Sequence, residues 1–170
     1  MVKLIACILL FSGSTALGFG KAASYKERRR ELEDTLELIR LLHLEIAYRK
    51  DGLAKVFQRT GQKKPCWFGD VLRECAAELD AQEPLERAWQ KALQKEIRGC
   101  PLCREDTGIL TDLFLGLGRS DTRGQEQILK PATERLQQQI RKARDQEEKM
   151  GRLYRSLGMA AGVTAAILVV

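Results

Sequence analysis

Two cysteines separated by a proline and a leucine, Cys100 and Cys103, are the residues of this chain best suited to chemistry. A C-x-x-C pair can act as a redox dithiol when a helix N-terminus lowers a thiol pKa, or it can supply half of a zinc site. The redox role normally follows a strand, whereas residues 94–99 have the pattern of a helix end. The zinc role needs two further ligands, and Cys66 and Cys75 match no common zinc spacing. We interpret the pair as a helix–loop–helix corner, with a membrane-tethered thiol or zinc protein as the alternative.

Other residue types that carry catalysis are isolated along the chain. His43 is the only histidine, and the positions three and four residues later, Ile46 and Ala47, carry no carboxylate. Glu45 is a carboxylate inside an apolar helical pattern, and it therefore needs water or a partner such as a tyrosine or an arginine. The sequence contains no Ser-His-Asp set, no phosphate-binding glycine loop and no carboxylate pair in distinct environments. We predict a protein that is not an enzyme, with no catalytic residue, no cofactor and no metal outside the cysteine pair.

The charge balance and the cysteine count limit the partners and the compartment. The chain has 29 basic and 23 acidic side chains and a net charge of +6, with the two signs well mixed. Nucleic-acid-binding domains usually concentrate their basic residues, so we predict no nucleic-acid partner. An odd number of cysteines in a chain of this length argues against a disulfide framework and favours a reducing compartment.

The N-terminal stretch Leu4–Gly20 contains 17 consecutive uncharged residues, close to the shortest length of a spanning helix. It offers no convincing small-x-small cleavage site of a signal peptide, so we predict an uncleaved membrane anchor over residues 1–22. One charge precedes the stretch and several basic residues follow it. The positive-inside rule then places residues 23–155, as a helical bundle, on the cytoplasmic face of the cell membrane. The basic residues predicted to form a collar at the membrane surface are Lys21, Arg28, Arg29 and Arg30.

The C-terminal residues 156–170 are predicted to associate with the membrane as well. The last 14 residues are uncharged. As a helix they extend about 21 Å, against a hydrocarbon core of roughly 30 Å. The sequence leaves open whether this segment crosses the bilayer, dips into it or packs against the first anchor.

Between these ends, the spacing of apolar residues predicts an all-α fold. A long helix over residues 25–50 is apolar over so much of its circumference that it needs partners on more than one side. Shorter helices follow, and Trp67 and Trp89 are interpreted as core or interface residues. The short helices are predicted near residues 53–61, 68–79, 85–97 and 102–117.

The last predicted helix carries the chain back to its apolar end. Its polar residues are glutamine and mixed charges, which predicts a position on the surface of the bundle. Pro131 falls inside the pattern, and we expect it to kink or restart the helix. The apolar stripe of this helix consists of Ile128, Ala132, Leu136, Ile140, Ala143, Met150, Leu153 and Leu157.

The turn that precedes this helix has the signals of a helix boundary. Gly118 stands where a helix commonly ends in a left-handed residue. Ser120 can supply the N-cap oxygen of the next helix, with Asp121 near the positive end of its dipole. We interpret the turn as a joint and not as an active site.

Four sequence features occur in order from one apolar end to the other. A basic helix follows the short anchor, and residues 44–48 (LEIAY) lead into residues 53–57 (LAKVF). Residues 117–125 (LGRSDTRGQ) come later, and residues 152–158 (RLYRSLG) precede the apolar tail. In that order, over nearly the whole chain, they resemble the stage III sporulation protein AB family. The positions of the later motifs are Gly118, Ser120, Asp121, Gln125, Tyr154, Leu157 and Gly158.

The resemblance implies a fold and a function. The family is similar to the cytoplasmic domain of type II secretion system protein F, an antiparallel all-helical bundle. It implies a non-enzymatic, membrane-anchored component of the secretion or channel complex that joins mother cell and forespore, on the mother-cell side, needed for endospore formation. The implied partners are the membrane and other proteins of the stage III sporulation operon, including a secretion-type ATPase, with self-association left open. No catalytic residues carry over, and the C-x-x-C pair is not part of the family pattern.

Overall fold

The computed structural model describes residues 2–48, 51–119 and 124–169 of the chain. Side chains are described from residue 12 to residue 164, except at residues 14, 118, 119, 124–126, 155 and 161–163. The described residues contain helices and no strand, which confirms the predicted all-α class. Six α-helices are present in this part: α1 (Val2–Tyr48), α2 (Leu53–Gly61), α3 (Trp67–Asp80), α4 (Leu85–Glu96), α5 (Arg104–Arg119) and α6 (Gly124–Val169).

The chain divides by packing into two compact units. The terminal unit consists of Met1–Arg29 and Arg141–Val170, and the central unit consists of Arg30–Ile140. Helix α1 is continuous from residue 2 to residue 48, as expected for a stretch without proline. This division does not test the predicted membrane boundaries after residue 22 and before residue 156, which stay predictions.

In the central unit, α1 presents the broad apolar face that its sequence predicts. Five large apolar residues form this face, and each is less than a tenth exposed. They lie in two neighbouring stripes, one with Leu32, Leu36 and Ile39 and the other with Leu38 and Leu42. Within the same unit, α2 packs on α3, α3 on α4, and α4 on α5.

Four aromatic rings, one from each of α2 to α5, form the centre of this core. Trp89 and Phe114 stack with their ring centroids 3.9 Å apart. Phe57 and Phe68 meet Phe114 edge-on, at 5.3 and 6.1 Å. The indole N–H of Trp89 keeps a hydrogen bond although the ring is buried, because it donates to the Thr111 hydroxyl at 3.3 Å. The core position predicted for Trp89 is confirmed, and so is that of Trp67, which is 7% exposed.

The corner between α2 and α3 requires two glycines at a close approach of the backbones. A Cβ added to Gly61 would lie 2.6 Å from the carbonyl oxygen of Gly69. A Cβ added to Gly69 would lie 2.7 Å from the carbonyl oxygen of Lys64. Both distances are too short for any side chain, so the tight corner depends on glycine at both positions.

Helix α3 ends in a Schellman motif with an unusual residue. The Glu83 amide donates to the Glu78 carbonyl and the Gln82 amide to the Leu79 carbonyl, which is the pair of bonds that defines the motif. Gln82 therefore adopts a left-handed backbone, with φ of 65°. A side chain in this conformation costs free energy that glycine avoids.

Replacing this residue with glycine, Gln82→Gly, is expected to stabilise the protein. Removal of the left-handed strain should outweigh the greater chain entropy of glycine, raising the free energy of unfolding by about 0.5–1 kcal/mol. Urea denaturation followed by circular dichroism measures the change. The neighbouring variant Ala81→Gly, at a residue with negative φ, should instead lower stability, and equal effects of the two variants would contradict the strain argument.

Helix α6 follows its predicted stripe through the central unit. Ala132, Leu136 and Ile140 are buried, and Leu129 is buried beside the half-buried Ile128. The expected restart at Pro131 is wrong, because α6 is one helix from Gly124 onward. Pro131 is exposed, so water can reach the carbonyl that lacks its usual helical donor.

In the terminal unit, the predicted stripe of α6 is confirmed at Ala143, which is 1% exposed, and is wrong at its other three positions. Gly151 and Gly158 are buried, whereas Met150, Leu153 and Leu157 are 40%, 49% and 53% exposed. The prediction failed because it assigned the inward positions to the largest apolar residues. The helices of this unit are instead close enough that glycine occupies the contact.

Candidate functional site

The segment around Cys100 and Cys103 is the helix corner that the sequence analysis favoured. The Cys103 amide donates to the Asp106 carboxylate at 3.0 Å, which caps the start of α5, and the Asp106 side chain is fully buried there. The Cys100 thiol points at the Leu102 carbonyl, 3.8 Å away. Burial raises the pKa of Cys100, the opposite of the shift that activates a thiol. Both thiols are free.

The remaining described cysteines have packing roles of their own. Cys66 is the N-cap of α3, where its sulfur accepts the Gly69 amide at 3.4 Å. Burial raises the pKa of Cys66 to about 11 and that of Cys75 to about 12. Within the part of the chain that was searched, no three His, Cys, Asp or Glu side chains come close enough to hold a metal ion.

The most constrained polar group of the central unit is the carboxylate of Glu31, which sequence reasoning did not select. Glu31 is 8% exposed and accepts the amides of Trp67 and Phe68 at 3.2 and 2.8 Å. These are the first two amides of α3, which have no partner inside their own helix. Burial raises the pKa of Glu31. The two hydrogen bonds from the backbone amides stabilise the charged carboxylate and therefore oppose this shift.

A sequence signal for Glu31 existed. Glu31, Leu38 and Leu42 share one helical stripe of α1, so a carboxylate stands at a position where the periodicity requires an inward side chain. A buried carboxylate needs donors, and a helix N-terminus supplies them. Which helix does so is decided by tertiary packing and cannot be read from the stripe.

Further ion pairs in the central unit join α2 and the loop before α3 to α1. Lys64, in the loop before α3, bonds to Asp34 at 2.7 Å and also pairs with Glu37. These carboxylates raise the pKa of Lys64. Glu45 accepts a hydrogen bond from Arg59 at 2.6 Å, which confirms the expected arginine partner. The half-exposed pairs contribute little stability each, but they fix how the short α2 lies against α1.

In the terminal unit, α1 and α6 run antiparallel with their backbones in contact. A Cβ added to Gly18 would lie 2.7 Å from the Tyr154 carbonyl oxygen and 3.0 Å from the Gly158 Cα. Further along, the rings of Tyr25 and Tyr154 stack at 6.0 Å. Small residues that bring two helices this close are typical of helix pairs in membranes. Two positions of the family motif, Tyr154 and Gly158, therefore lie in this helix contact.

Of the four predicted collar residues, two bind side chains of α6 and two are exposed. Arg28 donates to Gln146 at 2.6 Å, and Arg29 forms an ion pair with Glu147, both across the contact with α6. Lys21 and Arg30 are exposed. The collar at the membrane stays a prediction, and the pairing of its two central arginines gives them a second role in joining α1 to α6.

The other motif positions lie at the boundary of α5 and α6. Gly118 is helical, in the last turn of α5, which continues to Arg119, two residues beyond the predicted end at Leu117. The predicted left-handed helix end at Gly118 is therefore wrong. Ser120 and Asp121 lie outside the described residues, so the predicted cap stays a prediction. Gln125 is in the first turn of α6, and its side chain is also outside the described part.

Among the helices as described, none has both the length and the apolar character that crossing a bilayer demands. The side chains of residues 2–11, the first half of the predicted anchor, lie outside the described part. The anchor at residues 1–22 and the membrane association of residues 156–170 stay predictions.

A cleft of about 580 Å³, with a largely apolar lining, lies in the central unit between α1 and α6. Ile39 and Leu129 are buried at its base, with exposures of 0% and 1%. Arg40 from α1 and Lys130 from α6 are exposed at its sides. His43 also lines the cleft and is half-buried. The cleft was not foreseen, because the register between two helices distant in sequence decides which side chains share it.

The described residues are those of an all-α protein with two compact helical units, and in the terminal unit the ends of α1 and α6 form an antiparallel pair. The family model of Stage III sporulation protein AB matches residues 3–170, and the chain belongs to this family. Stage III sporulation protein AB of Bacillus subtilis (strain 168) is 24% identical over 169 residues, 99% of each chain.

A solved structure of Stage III sporulation protein AB is similar with a TM-score of 0.66. The similarity covers 71% of this chain and 96% of the other at 20% identity, and it concerns the fold. The family predicted from the ordered motifs is confirmed. The relatives are sporulation proteins, which supports a role in sporulation.

Proposed function

We propose that this chain is a non-enzymatic structural protein of endospore formation, anchored in the cell membrane with its central unit in the mother-cell cytoplasm. There it serves as an interaction platform in the complex that joins mother cell and forespore. Its proposed partners are the membrane and other proteins of the stage III sporulation operon, including a secretion-type ATPase. Family membership supports the sporulation role, and the terminal unit supports the anchoring.

The observation that carries the proposal is the way in which the terminal unit distributes its side chains. Glycines and stacked tyrosines fill the contact between its two helices. Large apolar side chains are left outward, with Leu17 at 78% exposure and Leu157 at 53%. Water disfavours such an arrangement, whereas lipid solvates outward apolar side chains and leaves small residues for helix association.

Deletion of the gene tests the sporulation role. We expect a large loss of heat-resistant spores, restored by a second copy of the intact gene, with vegetative growth unchanged. Spore counts equal to those of the parent strain would contradict a required structural role.

Thiol labelling tests the orientation. Cys100 and Cys103 are half-buried and suit labelling better than the buried Cys66 and Cys75. A membrane-impermeant maleimide should leave both unlabelled in intact cells and label them after permeabilisation. A Cys100→Ser, Cys103→Ser variant is the control for other sites, and labelling of intact cells that this variant loses would place the central unit outside the cytoplasm.

Metal analysis tests the alternative, a membrane-tethered thiol or zinc protein. We expect no stoichiometric zinc in the purified full-length chain, and we expect Cys103→Ser to sporulate normally. The raised pKa of Cys100 and the use of Asp106 as a cap support this expectation. About one equivalent of zinc, lost in Cys103→Ser, would favour the alternative.

A further inference from the structure

The cleft between α1 and α6 has the form of a binding groove. Its base is apolar, formed by Ile39 and Leu129, and its sides are polar. Its volume of about 580 Å³ accommodates several side chains of a partner. An apolar base with a few polar groups around it is the usual construction of a protein recognition groove.

The charges at the cleft are incompletely matched. Arg40 and Lys130 line it, and neither has an ion-pair partner among the residues that the structure describes. Glu134 is the acidic residue of the lining, and it likewise has no ion pair there. Two cations against one anion leave the cleft complementary to carboxylates.

We propose that this cleft binds an amphipathic helix of a partner protein. The partner's apolar side chains enter the cleft, and its Asp or Glu residues pair with Arg40 and Lys130. The inference rests on the proposed function as an interaction platform and names the chemistry of the partner.

The shape of the surface distinguishes this occupant from a lipid headgroup layer. Anionic lipids would also pair with Arg40 and Lys130, but a bilayer surface cannot fill a recess whose base is formed by buried Ile39 and Leu129. A row of side chains on a helix can fill it, since residues spaced by three and four project in one direction.

Site-specific photo-crosslinking in sporulating cells tests the proposal. A photoreactive phenylalanine analogue replaces Gln127, an exposed residue of the cleft lining, in the full-length chain. The same analogue at Gln90, an exposed residue of α4, is the matched control. We expect the analogue at Gln127 to give a protein adduct at a yield at least about fivefold above the analogue at Gln90. Peptide sequencing of the adduct should identify a helical segment with an apolar stripe and carboxylates.

Charge reversal then tests the pairing. Arg40→Glu with Lys130→Glu should lower the adduct formed at Gln127 about tenfold, the size expected when close charge pairs become repulsive. Arg98→Glu with Arg104→Glu, at two other exposed arginines, changes the net charge equally and should leave the yield unchanged. Melting temperatures of both double variants verify that they fold.

Each contrary outcome overturns the docking proposal. These outcomes are an adduct only to lipid, an adduct to a second copy of this chain, a partner segment without carboxylates, equal loss in the two double variants, or no adduct. Spore counts in the deletion strain are measured in parallel. If deletion prevents sporulation while no adduct forms, the docking surface is wrong and the proposed function stands, whereas normal spore counts overturn the function itself.

Discussion

Replacing Phe114 with alanine is expected to lower the free energy of unfolding by about 3–5 kcal/mol, the largest effect of any single substitution considered for this chain. Phe114 is fully buried and touches the rings of Phe57, Phe68 and Trp89. Its removal takes away the burial of a large apolar side chain and leaves a cavity where four helices meet. Urea denaturation of the full-length chain, followed by circular dichroism, measures the loss.

Two variants determine how the Phe114 result is interpreted. Phe114→Leu keeps most of the volume and should cost less than the alanine variant, by roughly half. Phe19→Ala removes a phenylalanine that is 49% exposed in the terminal unit and should change stability by no more than about 0.5 kcal/mol. If Phe114→Ala costs as little as Phe19→Ala, the aromatic cluster is not the centre of the core.

Replacing Glu31 with alanine is expected to cost about 2–4 kcal/mol, because two buried amides lose their acceptor together. The amides are those of Trp67 and Phe68 at the start of α3. Glu33→Ala, a half-buried neighbour on the same helix, is the control and should cost less than about 1 kcal/mol. Equal losses in the two variants would show that the α1–α3 bonds do not hold the helix start.

The raised pKa of Glu31 adds a dependence on pH. A carboxyl whose pKa is higher in the folded state binds more protons when folded, so its contribution to stability is present below the ordinary glutamate pKa of about 4.3 and is lost as pH rises through the raised value. The stability of the parent chain relative to Glu31→Gln should therefore fall as pH rises above about 4.3. A constant difference across that range would contradict the raised pKa.

The elements that follow local rules were predictable from the sequence. Helical periodicity located the helices, and glycine and proline marked most of their ends within a few residues. Composition and spacing were also sufficient to predict the burial of Trp67 and Trp89, an arginine partner for Glu45, and a helix start at the cysteine pair. The ordered motifs identified the family.

The features that failed prediction depend on contacts between distant segments. The inward side of α6 changes from Ala143 to Gly151 and Gly158, and hydrophobicity does not reveal a contact made by glycines. The acceptor role of Glu31 and the cleft at Arg40 both depend on which helix lies opposite α1. Spacing along one helix contains no information on that choice.

The reactivity of Cys66, the N-cap of α3, can report local opening of the folded protein at this helix end. The Cys66 thiol is 8% exposed and its pKa is raised to about 11, so it reacts with a thiol reagent only when the start of α3 separates from α1. Its alkylation rate, relative to that of the more accessible Cys103, therefore measures how often this helix end opens in the folded protein. A bound partner that stabilises the central unit should slow the alkylation of Cys66 and leave that of Cys103 unchanged, a kinetic signal that requires no engineered residue.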